Sequence, residues 1–431
     1  EIASCLVGSE MCIRDRGKWV MYTVTLGLCI LTNYYISIMI CIFLVLYFGM
    51  FLITEYYTMT EGQSSKARIV FGRIGRFAFA SLLAGGLAAV LLIPEVCAIL
   101  RTDFGNSDFP GTLESYFSVF DMLARHCLCV TTERGLEHWP NIYCGVAVFL
   151  LVPMYALNEK ISVRKRFCNL ALAGFLLLSF GTNVLDFLWH GLNYPDSLPA
   201  RQSFLYIFLI LVMCYDAFRN VEGTSPRQII YGYLAAVIFL LACEKFVESE
   251  DFDTGIEVLT LVFVTIYGVL LYLYRTRKDE LTRQVLGILV LACVVAELSI
   301  NTFNTSLGTT GRSAYLGDQE DYKALYALAQ EQEGDDFFRI EKFTRKTKND
   351  GTLTGYPTAS VFSSTMNSNV MDLYKMLGMR HSKVYYGFDG ATAFVSALLN
   401  VDYMFGESDK YENGLYEIVN NSGDVYLYHC K

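Results

Sequence analysis

Charge is scarce in this chain. Asp, Glu, Lys and Arg make up 18% of its 431 residues, against roughly 25% in soluble domains, and the mean hydropathy is +0.36. That deficit excludes an ordinary soluble enzyme. Positive charge is scarcer still: the net charge is −9, so the basic face that a nucleic-acid binder needs is missing. With 8 Pro and 33 Gly the composition is neither disordered nor collagen-like, and no repeat of solenoid period occurs. Signatures of common chemistry are absent too. The chain has no H-E-x-x-H, no EF-hand loop and no paired C-x-x-C, so no metal motif. It has no P-loop and no G-x-S-x-G elbow, which leaves ATP-driven transport and α/β-hydrolase chemistry without support.

Cysteine is the exception, at 13 residues, but most of it sits in or beside apolar runs, where it behaves as a small hydrophobe. Cys127 and Cys129 are one residue apart with no second pair near, so neither a zinc site nor a disulfide framework is expected. The opening stretch, Cys5 to Arg16, resembles translated sequencing-adapter DNA. It has no h-region and no small-residue cleavage site, unlike a signal peptide. Residues 1–16 are therefore set aside as adapter-derived, and the biological chain is expected to begin near Gly17, inside a longer protein.

What the chain does have is apolar runs: Trp19–Leu31, Ile36–Ile53, Ile74–Ile93, Ile142–Leu157, Phe167–Phe180, Phe204–Phe218, Ile229–Cys243, Ile256–Tyr274 and Val285–Ile300. A bilayer-spanning helix takes about 20 apolar residues, so about 8 spans are expected. The first run carries Thr23 and Thr25 and is a short span or a re-entrant piece turning at Asn33. The connectors alternate in charge. Lys66, Arg68, Arg73 and Arg76 mark one, then Lys160, Arg164, Lys165 and Arg166, then Arg219 and Arg227, and finally Arg275, Arg277, Lys278 and Arg283. Between them lie the acidic stretches 94–140, 184–201 and 244–255. The positive-inside rule puts the basic connectors in the cytoplasm, so the acidic ones and everything after Asn301 face outward. The domains read as a helical membrane region over 17–304 and an extracytoplasmic mixed α/β domain over 305–431. In the latter, Asp321–Gln332, Met371–Leu377 and Ala393–Leu399 are predicted helices. Predicted strands are Phe337–Ile340, Val384–Phe388, Val401–Phe405, Leu415–Val419 and Val425–Tyr428.

Three groups of residues could carry chemistry. Glu297 lies near the outer end of the last span with Asn301 one turn on, on the same helix face. An intramembrane carboxylate is costly and points to function, or to an interhelical hydrogen bond. The outward loop from Trp189 to Ser203 places His190, Asp196 and Arg201 together at the membrane surface. The planar fork of Arg201 matches the oxygens of a lipid phosphate, although basic residues also snorkel at interfaces. Outward carboxylates, with Glu95, Asp103 and Asp186 as the candidates, could take a proton from an acceptor hydroxyl. They are equally what a solvated loop carries.

The chain resembles the YfhO family of bacterial multi-pass membrane proteins from about Lys18 to its end. The resemblance rests on Asn33-Tyr-Tyr-Ile-Ser-Ile-Met-Ile-Cys-Ile-Phe-Leu-Val-Leu-Tyr-Phe48, on Pro140-Asn-Ile-Tyr-Cys-Gly145, and on Trp189-His-Gly191 with Leu198-Pro-Ala-Arg-Gln-Ser-Phe204. Further along it rests on Phe338-Arg-Ile-Glu-Lys342, Lys348-Asn-Asp-Gly351, Phe362-Ser-Ser-Thr365 and Ala397-Leu-Leu-Asn-Val-Asp-Tyr403. Ala200 departs from the pattern, which has an aromatic or polar residue before the Arg. The resemblance implies a GT-C-like fold and transfer of a sugar from a polyprenyl-phosphate donor to a cell-envelope polymer of the teichoic-acid type. Arg201 and His190 would hold the lipid phosphate, and no cofactor is implied. The family's usual catalytic carboxylate lies in a first outward loop ahead of Gly17, so this stretch alone is expected to be inactive. The implied partners are membrane lipids, the donor and the envelope acceptor. A transporter using Glu297 and Asn301, or an envelope scaffold, is the alternative.

Overall fold

The computed structural model describes residues 19–61, 65–102, 108–133, 139–194, 200–249, 252–308 and 310–431. The adapter-like stretch, Asp103, His138 and Asp196 lie outside them. Contacts divide the chain into two compact units, the first from the described residues of Glu1–Leu92 and Asp108–Gly308, the second from those of Ile93–Ser107 and Thr309–Lys431.

The first unit is helical: α1 (Trp19–Thr32), α2 (Tyr34–Thr60), α3 (Lys66–Leu87), α4 (Ala89–Ile99, which runs into the second unit), α5 (Val119–Ala124), α6 (Val148–Leu157), α7 (Val163–Gly181), α8 (Asn183–Trp189), α9 (Ser203–Arg219), α10 (Pro226–Phe246), α11 (Thr254–Thr276) and α12 (Glu280–Thr305). Polar caps set the boundaries where the apolar runs begin. Asn33 separates α1 from α2 and accepts from Ile36 N at 3.0 Å. Ser225 and Gln228 form a capping box at α10 with Pro226 in its first turn, and Asp253 and Asp279 cap α11 and α12.

Among the described residues five helices are long and apolar enough to cross a membrane: Tyr34–Tyr57, Lys66–Leu87, Pro226–Phe246, Thr254–Thr276 and Glu280–Thr305. The remaining expected spans fall short for visible reasons. With 14 residues, α1 is about 21 Å long. Arg164, Lys165 and Arg166 occupy the first turn of α7. In the run Ile142–Leu157 only the last ten residues are helical, because the preceding segment is irregular and pinned by hydrogen bonds. Broad apolar faces remain uncovered, including Phe79 and Leu82 on α3 and Ile288 and Leu291 on α12, as lipid-facing helices require.

Small residues bring helices together where the core is densest. Gly27 of α1 faces the backbone of Ala84 in α3, and Tyr22 OH lies 2.8 Å from Ser81 Oγ. Short α6 sits centrally, packed against α9, α10 and α11, with Leu150, Met154 and Tyr155 buried. The connectors rich in base are clasped by Asn158. Its Nδ2 donates to Asn220 O at 2.8 Å, and its Oδ1 accepts from Lys160 N at 2.9 Å. A Cβ on Gly223 would stand 2.2 Å from that Oδ1, so only glycine fits this close approach.

Residues around α5 fold polar groups inward. Asp121 accepts from Ser118 Oγ and Glu248 N, and Arg125 donates to Thr131 O at 2.6 Å. His126 is buried, with Nδ1 3.1 Å from Leu123 O and Nε2 3.1 Å from Tyr206 OH. The carbonyl can only accept, so Nδ1 carries the proton and Nε2 takes the tyrosine hydroxyl's.

The second unit holds α13 (Arg312–Leu316), α14 (Gln319–Glu333), β1 (Arg339–Lys342), α15 (Asp350–Thr354), β2 (Val361–Phe362), α16 (Ser368–Met376), β3 (His381–Ser382), β4 (Tyr385–Tyr386), α17 (Ala393–Leu398), β5 (Val401–Gly406), β6 (Tyr416–Ser422) and β7 (Val425–Cys430). One sheet has the order β1-β5-β7-β6, with β1 parallel to β5 and the rest antiparallel; the other is β2-β4-β3. Tyr322, Leu325 and Ala329 of α14 cover Ile340, Phe405 and Leu427. Segment 93–102 joins this unit partly through Ser368 N, which donates to Arg101 O at 3.0 Å.

Burial pushes the His126 pKa from 6.5 down to about 4. The unfolded chain therefore binds the proton first. His126 contributes stability fully above pH 6.5 and loses it as pH falls towards 4, by about 3 kcal/mol. Thermal unfolding across that range should show the loss, and His126→Gln should remove most of the slope.

Candidate functional site

The site grows from the break between α7 and α8. Thr182 is extended there, and Asn183 receives the chain of residues 112–116: its Nδ2 donates to Thr112 O at 2.9 Å and its Oδ1 accepts from Glu114 N at 3.0 Å. That strap brings Tyr116 to the helix, where its hydroxyl donates to Asp186 Oδ2 at 3.2 Å. Four residues on, His190 lies on the same face of α8. Its Nδ1 is 2.8 Å from Asp186 O and 3.0 Å from Asp186 Oδ1, with both side chains at most 2% exposed. The helix ends immediately afterwards. Gly191 (φ +72°) and Leu192 (φ +65°) take the left-handed conformation, and Leu192 N closes the end on Phe187 O.

Aromatic stacking extends the cluster. The Tyr35 ring, at the start of α2, lies 6.1 Å from the His190 ring, and the Arg201 guanidinium stands 5.0 Å from the Tyr35 centroid. Arg201 is half-buried. Ala200 before it has φ +51° and is 2% exposed. A small side chain suits that buried, left-handed position. Gln202 follows at the N-cap of α9 and is fully buried.

The charge balance is specific. Asp186 has both oxygens engaged, one by His190 and one by Tyr116, and burial together with that carboxylate raises the Tyr116 hydroxyl pKa above its ordinary value. An imidazole whose Nδ1 is committed to a carboxylate presents its chemistry at Nε2. Among the described residues His190 Nε2 has no hydrogen-bond partner, and neither do Gln202 Oε1 and Nε2. A guanidinium and an imidazole edge can receive an anion, and a neutral amide can pair with hydroxyls.

Asp186, His190 and Arg201 thus come together; the sequence grouped His190 and Arg201 with Asp196, which lies outside the described residues. Glu95 sits half-buried on α4 in the part assigned to the other unit. Asp103 lies outside the described residues. Tyr35, Tyr116 and Gln202 had not been singled out. Tyr35 and Gln202 fall inside the family-like stretches, whereas Tyr116 carries no signal of its own.

Glu297 is 1% exposed and takes three hydrogen bonds: Tyr143 OH at 2.7 Å and Val146 N at 2.6 Å on Oε1, and Tyr267 OH at 2.7 Å on Oε2. Gly145, at φ +101°, lets the backbone turn over the carboxylate. One turn on, Asn301 Oδ1 accepts from Cys129 N at 2.9 Å. The pair clips two irregular segments to α12. Among the described residues no group of three or more His, Cys, Asp or Glu side chains is placed to hold a metal ion.

Residues 6–431 match the family described as bacterial membrane protein YfhO, and the chain belongs to it. No curated protein matches, and no solved structure does.

Glu297→Ala strands three buried donors and should destabilise the protein by about 3 kcal/mol or more. Glu297→Gln keeps an oxygen for Tyr143 and Val146 and should cost less. Unfolding in detergent gives the order wild type, Gln, Ala; an Ala variant as stable as wild type would contradict the anchoring role.

Proposed function

We propose that this YfhO-family membrane protein is a glycosyltransferase-like enzyme that takes a sugar from a polyprenyl-phosphate donor and passes it to a cell-envelope polymer on the outer face. The observation that carries this reading is the cluster of buried Asp186 and His190 with half-buried Tyr35 and Arg201 at the end of an apolar helical bundle. Desolvated charge of this kind is costly unless a ligand or partner uses it.

In this reading the donor enters sideways from the lipid, and Arg201 with the outer edge of His190 holds its phosphate. Asp186 keeps His190 oriented through Nδ1. An acceptor hydroxyl attacks the anomeric carbon while the carbon–oxygen bond to the phosphate breaks, and the lipid phosphate leaves with the electron pair on its oxygen, where Arg201 stabilises the negative charge. A base takes the hydroxyl proton; of the carboxylate candidates Glu95, Asp103 and Asp186, the last is already committed to His190 and Tyr116. The mixed α/β unit receives the acceptor polymer. The alternation of basic and acidic connectors supports an outward placement for it.

In the full-length protein, Arg201→Ala should lower transfer of labelled sugar from polyprenyl-phosphate donor by about 100-fold, the scale for losing one positioned charge on a leaving oxyanion, and Arg201→Lys should restore part. Undiminished transfer by Arg201→Ala, or solute uptake abolished by Glu297→Gln with the fold retained, would replace this reading with transport. An impermeant thiol reagent should reach Cys430 in intact spheroplasts of a strain carrying that cysteine as its sole accessible thiol; protection until lysis would reverse the orientation.

A further inference from the structure

Gln202 does no visible work for the fold. Four buried amide side chains occur among the described residues of the helical unit, and three are put to use. Asn158 and Asn183 pair both ends, and Asn169 donates to Tyr155 OH at 2.6 Å. Gln202 is 0% exposed with neither its oxygen nor its nitrogen bonded. It stands at the N-cap of α9, where a side-chain oxygen could satisfy a free backbone N–H, yet it makes no capping bond. An amide carries two donors and an acceptor, and burying them unmade is unfavourable. Twelve residues earlier in the chain, His190 Nε2 is in the same condition, while its other nitrogen is fixed by Asp186.

We propose that Gln202 is a sugar-specificity residue, whose amide, together with His190 Nε2, reads hydroxyl groups of the hexose carried on the lipid phosphate. This rests on the reading of the site as a lipid-phosphate-sugar pocket. The chemistry is set by adjacency. Arg201 is the immediate neighbour of Gln202 and grips the phosphate, and the sugar is bonded directly to that phosphate. A neutral donor–acceptor pair next to the anion grip matches neighbouring hydroxyls, each of which both donates and accepts. It does not match a second anion, to which the amide oxygen would be unfavourable, nor an apolar chain, which would leave the amide unpaired.

The test uses the full-length protein in nanodiscs, with bare polyprenyl phosphate and polyprenyl-phosphate-linked glucose, galactose and N-acetylglucosamine as probes. At least one sugar-bearing lipid should bind wild type about tenfold more tightly than bare lipid phosphate, the worth of one or two neutral hydrogen bonds. Gln202→Leu should erase that preference, leave the affinity for bare lipid phosphate within about twofold, and unfold at a temperature no lower than wild type without lipid, since it removes an unpaired buried amide. Gln202→Met, unbranched and of similar length, repeats the measurement should the Leu variant misfold. The proposal is overturned if either folded variant keeps the sugar preference, or if both lower the unliganded unfolding temperature by several degrees. It is also overturned, with the pocket reading left standing, if wild type binds bare lipid phosphate through Arg201 and no hexose adds affinity. Absence of any Arg201-dependent lipid-phosphate binding removes both.

Discussion

A polar side chain inside an apolar helical bundle has no water to turn to, and in this protein that requirement decides how irregular backbone is held at the ends of the helices. Glu297 collects two tyrosine hydroxyls and a backbone N–H, Asp121 collects a serine and the backbone of Glu248, and Asp186 collects Tyr116 and His190. In each case the carboxylate sits on a helix and takes at least one partner from a connecting segment. Remove the carboxylate and the segment loses its attachment, while the donors stay buried. The hydrogen bonds therefore act less as a general source of stability than as fasteners for particular loops.

The same logic operates in the mixed α/β unit at the strand Arg339–Lys342. Glu341 and Lys342 are consecutive, so they point to opposite faces of the sheet, and both are buried. Glu341 accepts from Arg345 at 3.0 Å, from Thr358 and from Ala359 N. Lys342 lies 3.5 Å from Asp350 and 3.7 Å from the centre of the Tyr322 ring. Burial pulls the Lys342 pKa down while Asp350 opposes the shift. Lys342 thus joins α14 and α15 on one face of the sheet, while Glu341 holds Arg345, Thr358 and Ala359 on the other. This accounts physically for the family-like Phe338–Lys342 stretch.

At the candidate site the pairing has a chemical consequence. A carboxylate with both oxygens occupied is a weak choice for removing a proton but a good one for orienting an imidazole. Asp186 reads from the sequence as one more outward carboxylate among several. Its two partners turn it into a support for His190, and the unused capacity of the cluster moves to His190 Nε2 and the Gln202 amide.

The membrane class, the main helices and the mixed character of the C-terminal region are legible along the chain because they depend on local period and composition. Helix α14 and strands β5 and β7 fall within a few residues of their expected bounds, while the two-residue strands β2 and β3 are too short for any period to register. His190 and Arg201 are legible as a pair because they share one loop between apolar runs. Other features belong to tertiary structure alone. That Ile142–Leu157 is helical only in its second half depends on Glu297, 151 residues from Val146. That Tyr116 joins Asp186 depends on a strap 70 residues away. Periodicity shows which face of a segment is apolar, but a buried polar atom's partner is chosen by distance in space, and no local pattern encodes that distance.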